Sequence, residues 1–303
     1  MLNPVHFRTL SVVLRSGSFA AAGRQLGYTG SAVSQQMSTL ESDSGLVLFE
    51  RGAHGIRPTA SAHLLSERAS ETLGAFATLE EAVREIATGT RGRLGLGSFP
   101  TASEVLVPGA LARFSRAFGN VEVRFDDGEP GRLLPRLVEG DLDVAVVYRY
   151  DLVPQGWPSG LHRSPLLVEE MKVLVPATVR ISGSAPQLAD FAEMAWISTR
   201  EGSAGTLAVE RACAAAGFSP KIRYRTNDYD VIRSFVRAGL GVAAVPRLAY
   251  AGRPELRVVE VHGLTVRRHV EVLTAGERRS AAVAGMVDAL KASAAASPAA
   301  RLT

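Results

Sequence analysis

Near the start of the chain, apolar residues recur three times at helical spacing. Phe7, Leu10, Val13 and Leu14 mark a helix over Pro4 to Arg15, and Gly17 stops it. Ser18 caps a second helix whose stripe is Phe19, Ala22, Gly23 and Leu26, and Gly27 closes that one. Thr29 caps a third. On it Val33, Met37 and Leu40 fall on one side, while Ser31, Ser34, Gln35, Ser38 and Ser42 fall on the other. Two short helices around a tight glycine-containing turn, the first lined with small residues that permit close approach, form the pattern of a helix-turn-helix.

The pattern then changes period. In "LVLFERGAHGIRPT" a strand-like run reaches Arg51, turns through glycines and returns past Arg57 and Pro58, the layout of a wing. From Thr59 a long helix carries Ala62, Leu65, Ala69, Thr72, Phe76, Leu79, Val83 and Ile86 at alternating steps of three and four, a heptad seam that predicts a dimer contact. The Gly-rich stretch "TGTRGRLG" follows as a linker. Beyond it, strand-like runs ("RLGLGSF", "VEVRF", "DVAVVY", "MKVLVP", "AWIS", "KIRYRT", "GVAAVP", "LRVVEV", "HVEVLT") alternate with helical ones (Ser103 to Phe118, Leu133 to Glu139, Leu188 to Met194, Thr206 to Ala216, Tyr229 to Ala238, Ser280 to Ser293). Two such series predict two α/β lobes with parallel sheets. The expected organisation is residues 1–58 as a DNA-binding domain, 59–88 as a linker and dimerisation helix, 89–295 as a two-lobed domain and 296–303 as a disordered tail.

Composition narrows the function. The 303 residues, 46% of them apolar, suffice for two or three separate cores. No run reaches the roughly 18 apolar residues of a membrane helix, so a cytoplasmic protein with no membrane partner is expected. Residues 1–90 hold 7 Arg and Lys against 8 Asp and Glu, and the rest of the chain 27 against 22, so the basic excess lies outside the helix-turn-helix. DNA binding must then rest on where a few arginines are placed. Cys213 stands alone and reads as a buried small residue. There is no HExxH pair, no GxxxxGK[ST] loop and no GxSxG elbow, and "GLGSF" lacks the third glycine of a dinucleotide site. No catalytic residue, metal site or cofactor is expected.

The stretch "GSFAAAGRQLGYTGSAVSQQMSTLESDSGLVLFER" resembles the winged helix-turn-helix of LysR-type transcriptional regulators, through Gly17-Ser18-Phe19, Ala22, Leu26, Ser31 to Ser34, Leu40-Glu41, Gly45 and Leu48-Phe49-Glu50-Arg51. "LVEGDLDVAVV" and "RAGLGVAAVP" look like that family's steps into strands of the two lobes. The resemblance implies an N-terminal winged helix-turn-helix with a long linker helix and a two-lobed α/β effector domain similar to periplasmic binding proteins. It also implies double-stranded DNA and a small-molecule effector as partners, a homodimer or homotetramer, and RNA polymerase as a further partner. The sequence departs from the family at Gly23, where a second Ala is usual and should be tolerated, at Tyr28, and at Gly30, where a contact residue is common. A solute receptor or an enzyme on the same two-lobed fold is the alternative, but the first predicts no helix-turn-helix and the second a reactive cluster.

On this reading the third helix enters the major groove with Ser31, Ser34, Gln35 and Ser38 toward base edges and Gln36 at the flank. Arg51 and Arg57 bracket the wing, facing phosphate or a narrow minor groove. In the effector domain the ligand belongs where strands end and helices begin. Those junctions carry Ser98, Thr101 and Ser103 in one lobe, Ser198, Thr199 and Arg200 in the other, Tyr148 with Arg149, and Asn227 between Thr226 and Asp228. Helix N-termini, hydroxyls and these arginines suit an anionic metabolite. The resemblance makes Thr101, Ser103, Thr199 and Asn227 the foremost contacts, although Ser and Thr at such places serve equally as helix caps.

Overall fold

The computed structural model describes residues 2–52, 55–88, 92–180, 186–250, 257–275 and 280–297. The chain divides into two compact units, Met1–Gly92 with Pro135–Leu142, and Arg93–Leu134 with Asp143–Thr303.

The first unit opens with α1 (Pro4–Ser16), α2 (Phe19–Leu26) and α3 (Gly30–Ser44). Ser18 Oγ accepts from the Ala21 N–H and Thr29 Oγ1 from that of Ala32, so both predicted caps form. Gly17 and Gly27 close α1 and α2 with φ of 75° and 73°, a conformation a side chain resists. Strands β1 (Phe49–Gly52) and β2 (Gly55–Pro58) pair antiparallel with Glu50 opposite Arg57, and form the wing. The wing is anchored by Glu41, whose Oε1 accepts the backbone N–H of Leu48 at 2.7 Å and of Phe49 at 3.1 Å. Thr59 donates its hydroxyl to Val47 O and caps α4 (Ala60–Thr88) at Ala62 N.

Gly23 and Gly30 draw α2 and α3 closer than the sequence suggests. A Cβ at Gly23 would lie 2.6 Å from Tyr28 O, and one at Gly30 would lie 3.2 Å from Ala20 Cα. The expectation that Ala is tolerated at position 23 therefore changes: the carbonyl it would meet is backbone and cannot swing away. Gly23→Ala is expected to destabilise this unit by ~1–3 kcal/mol through overpacking, even though alanine's helix propensity works in its favour by ~1 kcal/mol. Urea denaturation of the two proteins checks this, and an unchanged midpoint would refute the close contact.

The core of this unit joins Phe7, Leu10, Val13, Ala22, Val33, Met37, Leu40 and Leu48 to Ala62, Ala69 and Leu73 of α4, with Leu65 half-buried against them. The predicted heptad seam is thus split. Its first part packs on α1, where Ser11 Oγ lies 3.0 Å from Ser66 Oγ, and the inward position is Leu73 rather than the exposed Thr72. Farther along, Phe76, Leu79 and Val83 are exposed. The Ile86 side chain lies outside the described residues.

The second unit runs β3 (Arg93–Ser98), α5 (Pro100–Val105), α6 (Val107–Ala117), β4 (Glu122–Asp127), α7 (Pro130–Val138), β5 (Val144–Tyr150), β6 (Leu161–Leu174), β7 (Ala195–Ser198), α8 (Ala204–Ala215), β8 (Lys221–Arg225), α9 (Tyr229–Arg237), β9 (Ala243–Pro246), β10 (Val258–Val259), β11 (Arg267–Ala275) and α10 (Ala281–Ala296). In one lobe the strand order is β4-β3-β5-β11-β6, with β3 parallel to β4 and β5. β11 returns antiparallel to β5 and β6. In the other lobe the end of β6 pairs antiparallel with β9 and β10, β7 pairs parallel with β8, and a Trp196–Val242 bridge connects β7 to the rest. The sheets are therefore mixed, where parallel ones were expected. The chain passes between lobes and returns, and the returning strand must run backwards. Each lobe has its own core, one around Leu96, Phe114, Val146 and Met286, the other around Met171, Trp196, Val209 and Val242.

Three element predictions shift. The helix expected over Ser103 to Phe118 begins at Pro100 and breaks at Leu106, because Pro108 has no N–H to continue the ladder. The helix expected over Leu188 to Met194 is a 3-10 turn at Leu188–Phe191. Among the described residues of "LRVVEV" only Val258–Val259 forms a strand. The linker residues 89–91, and the expected tail from residue 298 onward, lie outside the described residues. Cys213 is buried, and burial pushes its thiol up to about 12, in keeping with a packing role.

Candidate DNA interface and inter-lobe cleft

Along α3, Val33, Met37 and Leu40 are buried in the core of the first unit. Ser31 and Gln35 are exposed on the other side, and Ser34, Gln36 and Ser38 are half-buried at its margins. This follows from 100° per residue: positions 33, 37 and 40 stack, and 31, 35 and 38 stack opposite them. The face is polar and uncharged. Ser31 Oγ lies 2.9 Å from Thr29 Oγ1, within the cap of the helix. The Gln36 side-chain amide lies 2.7 Å from Thr9 Oγ1 on α1, so Gln36 ties α3 to α1. Arg57 is exposed on β2 of the wing. Arg51 lies on β1, and its side chain is outside the described residues. Arg24, exposed in the last turn of α2, adds a cation that the sequence reading did not single out. Its signal was its place on the helix that crosses the backbone in such motifs.

The second candidate site lies between the lobes. It is a cavity of about 10 Å³, lined by Phe99, Thr101, Glu129, Tyr148, Tyr150, Thr199, Ser203, Asn227, Tyr229 and Arg268 among others. Such a space holds about one water. Four predicted residues line it: Thr101, Tyr148, Thr199 and Asn227. Ser98, Ser103 and Ser198 do not. Ser98 is buried beneath α5, Ser103 donates to Asp127 Oδ1 at 2.8 Å, and Ser198 Oγ lies 3.0 Å from Thr206 Oγ1. They are caps and packing hydroxyls, the second of the two roles their position allowed.

Several of the donors expected to cradle an anion are already engaged. Asp228 Oδ1 accepts the N–H groups of Asp230 and Val231 at the start of α9. Ser203 caps Thr206 on α8, and Asn227 Oδ1 accepts from Arg200 N at 3.0 Å. Arg149 faces Glu271 at 3.5 Å, and Arg200 is exposed away from the lining.

At the centre is a charge pair that the sequence reading missed. Tyr150, Arg268 and Glu169 lie side by side across β5, β11 and β6. Arg268 Nε donates to Glu169 Oε1 at 2.6 Å, and both side chains are buried. The second guanidinium nitrogen donates to Thr101 Oγ1 at 2.9 Å, and Glu169 Oε2 accepts the Leu248 N–H at 2.6 Å. The guanidinium carbon lies 4.9 Å from the Phe99 ring centre and 5.1 Å from that of Tyr148. Tyr148 donates its hydroxyl to Glu129 Oε2 at 2.5 Å. Burial, then Tyr150 and Glu129, hold the Tyr148 phenol far above its ordinary range, so it remains a donor. Burial likewise raises Tyr150 and Tyr229. The signal was legible: Arg268 shares its alternation with Val266, Val270 and Val272, and Glu169 with Leu167, Met171 and Val173.

A larger depression of about 490 Å³ lies at Asp151, Glu170, Lys172, Glu260, His262 and Arg267. Its charges are paired across it, Lys172 with Glu260 at 3.2 Å and Arg267 with Glu170 at 3.9 Å. It contains none of the predicted contacts.

A winged helix-turn-helix followed by a two-lobed α/β unit with a cleft defines a ligand-responsive regulator of transcription. Comparison with known proteins agrees. Residues 5–63 match the bacterial regulatory helix-turn-helix protein of the lysR family, and residues 87–295 match the LysR substrate binding domain. The chain is 29% identical over 282 residues to the HTH-type transcriptional regulator CbbR of Xanthobacter flavus, covering 90% of this chain and 82% of that one. It is 30% identical over 275 residues to the small neutral protease regulatory protein of Streptomyces lividans, covering 90% and 77%. Among solved structures, full-length OxyR from Pseudomonas aeruginosa superposes with a TM-score of 0.65 at 18% identity, over 99% of this chain and 97% of that one. CbnR complexed with its target DNA superposes at 0.54 and 22% identity, over 97% and 100%. The chain belongs to the LysR family of transcriptional regulators, and is a regulator rather than an enzyme. Among the described residues no helix is long and apolar enough to cross a membrane.

Proposed function

We propose that this regulator reads double-stranded DNA with α3 in the major groove, directing Ser31, Ser34, Gln35 and Ser38 to base edges and Arg57 and Arg51 of the wing to the backbone or minor groove. The observation that carries the assignment is the polar, uncharged outer face of α3 opposite Val33, Met37 and Leu40. Gln36 is a positioning residue, held by Thr9. The CbnR structure with its target DNA supports the arrangement by analogy of fold. The regulator acts in the cytoplasm, as a homodimer or homotetramer joined through the exposed Phe76, Leu79 and Val83 of α4. RNA polymerase is its partner at the promoter. A small effector in the inter-lobe cleft switches it, with Thr101, Tyr148, Thr199 and Asn227 as contacts.

Gln35 tests the first part. A bidentate glutamine contact to adenine is worth ~1–3 kcal/mol of discrimination. Gln35→Ala is expected to relax preference at one position of each half-site in footprinting at fixed salt, with non-specific affinity retained. Unchanged sequence preference would remove Gln35 from the interface.

A further inference from the structure

The charge and wall chemistry of the inter-lobe cleft say which class of molecule it takes. This rests on the reading of that cleft as the effector site. Glu129 and Arg268 are the charged side chains of the lining, and the Arg268 charge is already balanced by the buried Glu169. Among the described residues, the Glu129 carboxylate is matched only by the neutral hydroxyl of Tyr148. Glu129, Glu169 and Arg268 together therefore leave one negative charge. A carboxylate or phosphate ligand would double it, whereas a cation would cancel it. Of the backbone donors at the starts of α8 and α9 that would offset an anion, those of Thr206, Asp230 and Val231 are already taken by Ser203 and Asp228. The walls point the same way. Phe99, Tyr148, Tyr150 and Tyr229 surround the cavity, and two of these rings already hold a guanidinium at cation–π distance.

We propose that the effector is a small organic cation, an alkylammonium or quaternary ammonium, seated between the Glu129 carboxylate and the rings of Tyr148, Tyr150 and Tyr229. The cavity of about 10 Å³ is too small for it, so its entry parts the lobes. Arg268, Glu169 and Thr101 belong to one lobe, and Leu248, whose N–H Glu169 accepts, packs in that lobe's core, so this cluster stays together as the other lobe moves away.

The test uses the full chain at pH 7.5 and constant ionic strength. Isothermal titration and thermal-shift measurements are made with propylammonium and choline, with propionate and malonate, and with propanol as the uncharged control. At millimolar concentration one or both cations should bind and raise Tm, and Glu129→Gln should weaken that binding by about tenfold or more. Each protein's Tm with probe is read against its own Tm without probe, so that any change Glu129→Gln makes to the bare protein through its Tyr148 bond is removed. Binding of propionate or malonate without either cation would overturn the cation assignment and leave the effector site standing. No binding by either cation, whatever the other probes do, overturns it as well. In parallel, genome-wide DNA capture reports on the regulator reading: specific DNA binding with no cation response fails only this inference, while absence of any enriched DNA site fails the regulator reading itself.

Discussion

Arg268→Ala is expected to destabilise the two-lobed unit by ~3–5 kcal/mol, because it leaves the Glu169 carboxylate buried without its counter-charge. Both side chains are almost wholly enclosed, so water cannot take the place of the guanidinium. The substitution also removes the donor to Thr101 and the cation held against Phe99 and Tyr148. Replacing both partners with apolar residues of similar volume, Arg268→Met with Glu169→Leu, should recover much of the loss. A buried ion pair spends most of its attraction on desolvation. The double variant leaves the Leu248 N–H, the Thr101 hydroxyl and the buried Tyr150 hydroxyl, which also bonds Arg268, to find new partners. Urea denaturation of the parent, both single variants and the double variant measures the coupling. A loss below ~1 kcal/mol in Arg268→Ala would mean that the pair is reached by solvent.

Leu79→Asp is expected to break the dimer proposed at the exposed end of α4 while leaving the fold intact. Leu79 is 57% exposed, so the folded monomer should change by no more than ~0.5 kcal/mol. In a seam with Phe76 and Val83, each copy would bury an unpaired carboxylate. A cost of ~2–4 kcal/mol corresponds to a dissociation constant raised about 30- to 1000-fold. Analytical ultracentrifugation should show monomer at concentrations where the parent is a dimer. Binding to a paired half-site should fall with it, since one recognition helix alone loses the second half-site. A dimer of unchanged stability would move the interface to another surface.

The helix-turn-helix was legible because its information is local. Caps at Ser18 and Thr29, stops at Gly17 and Gly27 and the split of α3 into two faces are all set within one or two helical turns. The wing and the start of α4 followed from the turn glycines and Thr59 for the same reason. Most strands of the lobes were legible too, although the first ten residues of β6, 161–170, were not. The pairing of the strands was not, since β6 serves both lobes and β11 runs against its neighbours, choices made by contacts more than a hundred residues apart. Only four of the seven predicted cleft residues line the cavity, for a related reason. A strand-to-helix junction is visible in sequence, but whether its hydroxyl faces the cavity or caps the helix depends on the path of the next element, as Ser103 and Thr101 illustrate.

The order of elements, the outer face of α3 and the near absence of cations on that helix belong to the sequence by itself, because periodicity and capping act between residues a few positions apart. Tertiary structure alone decided that Gly23 and Gly30 are close-contact positions, that the first half of the α4 seam is turned inward, and that Arg268 and Glu169 meet on adjacent strands beside the cleft. In each case the partner is brought in from elsewhere in the chain, and steric fit or desolvation there outweighs any preference the residue has on its own.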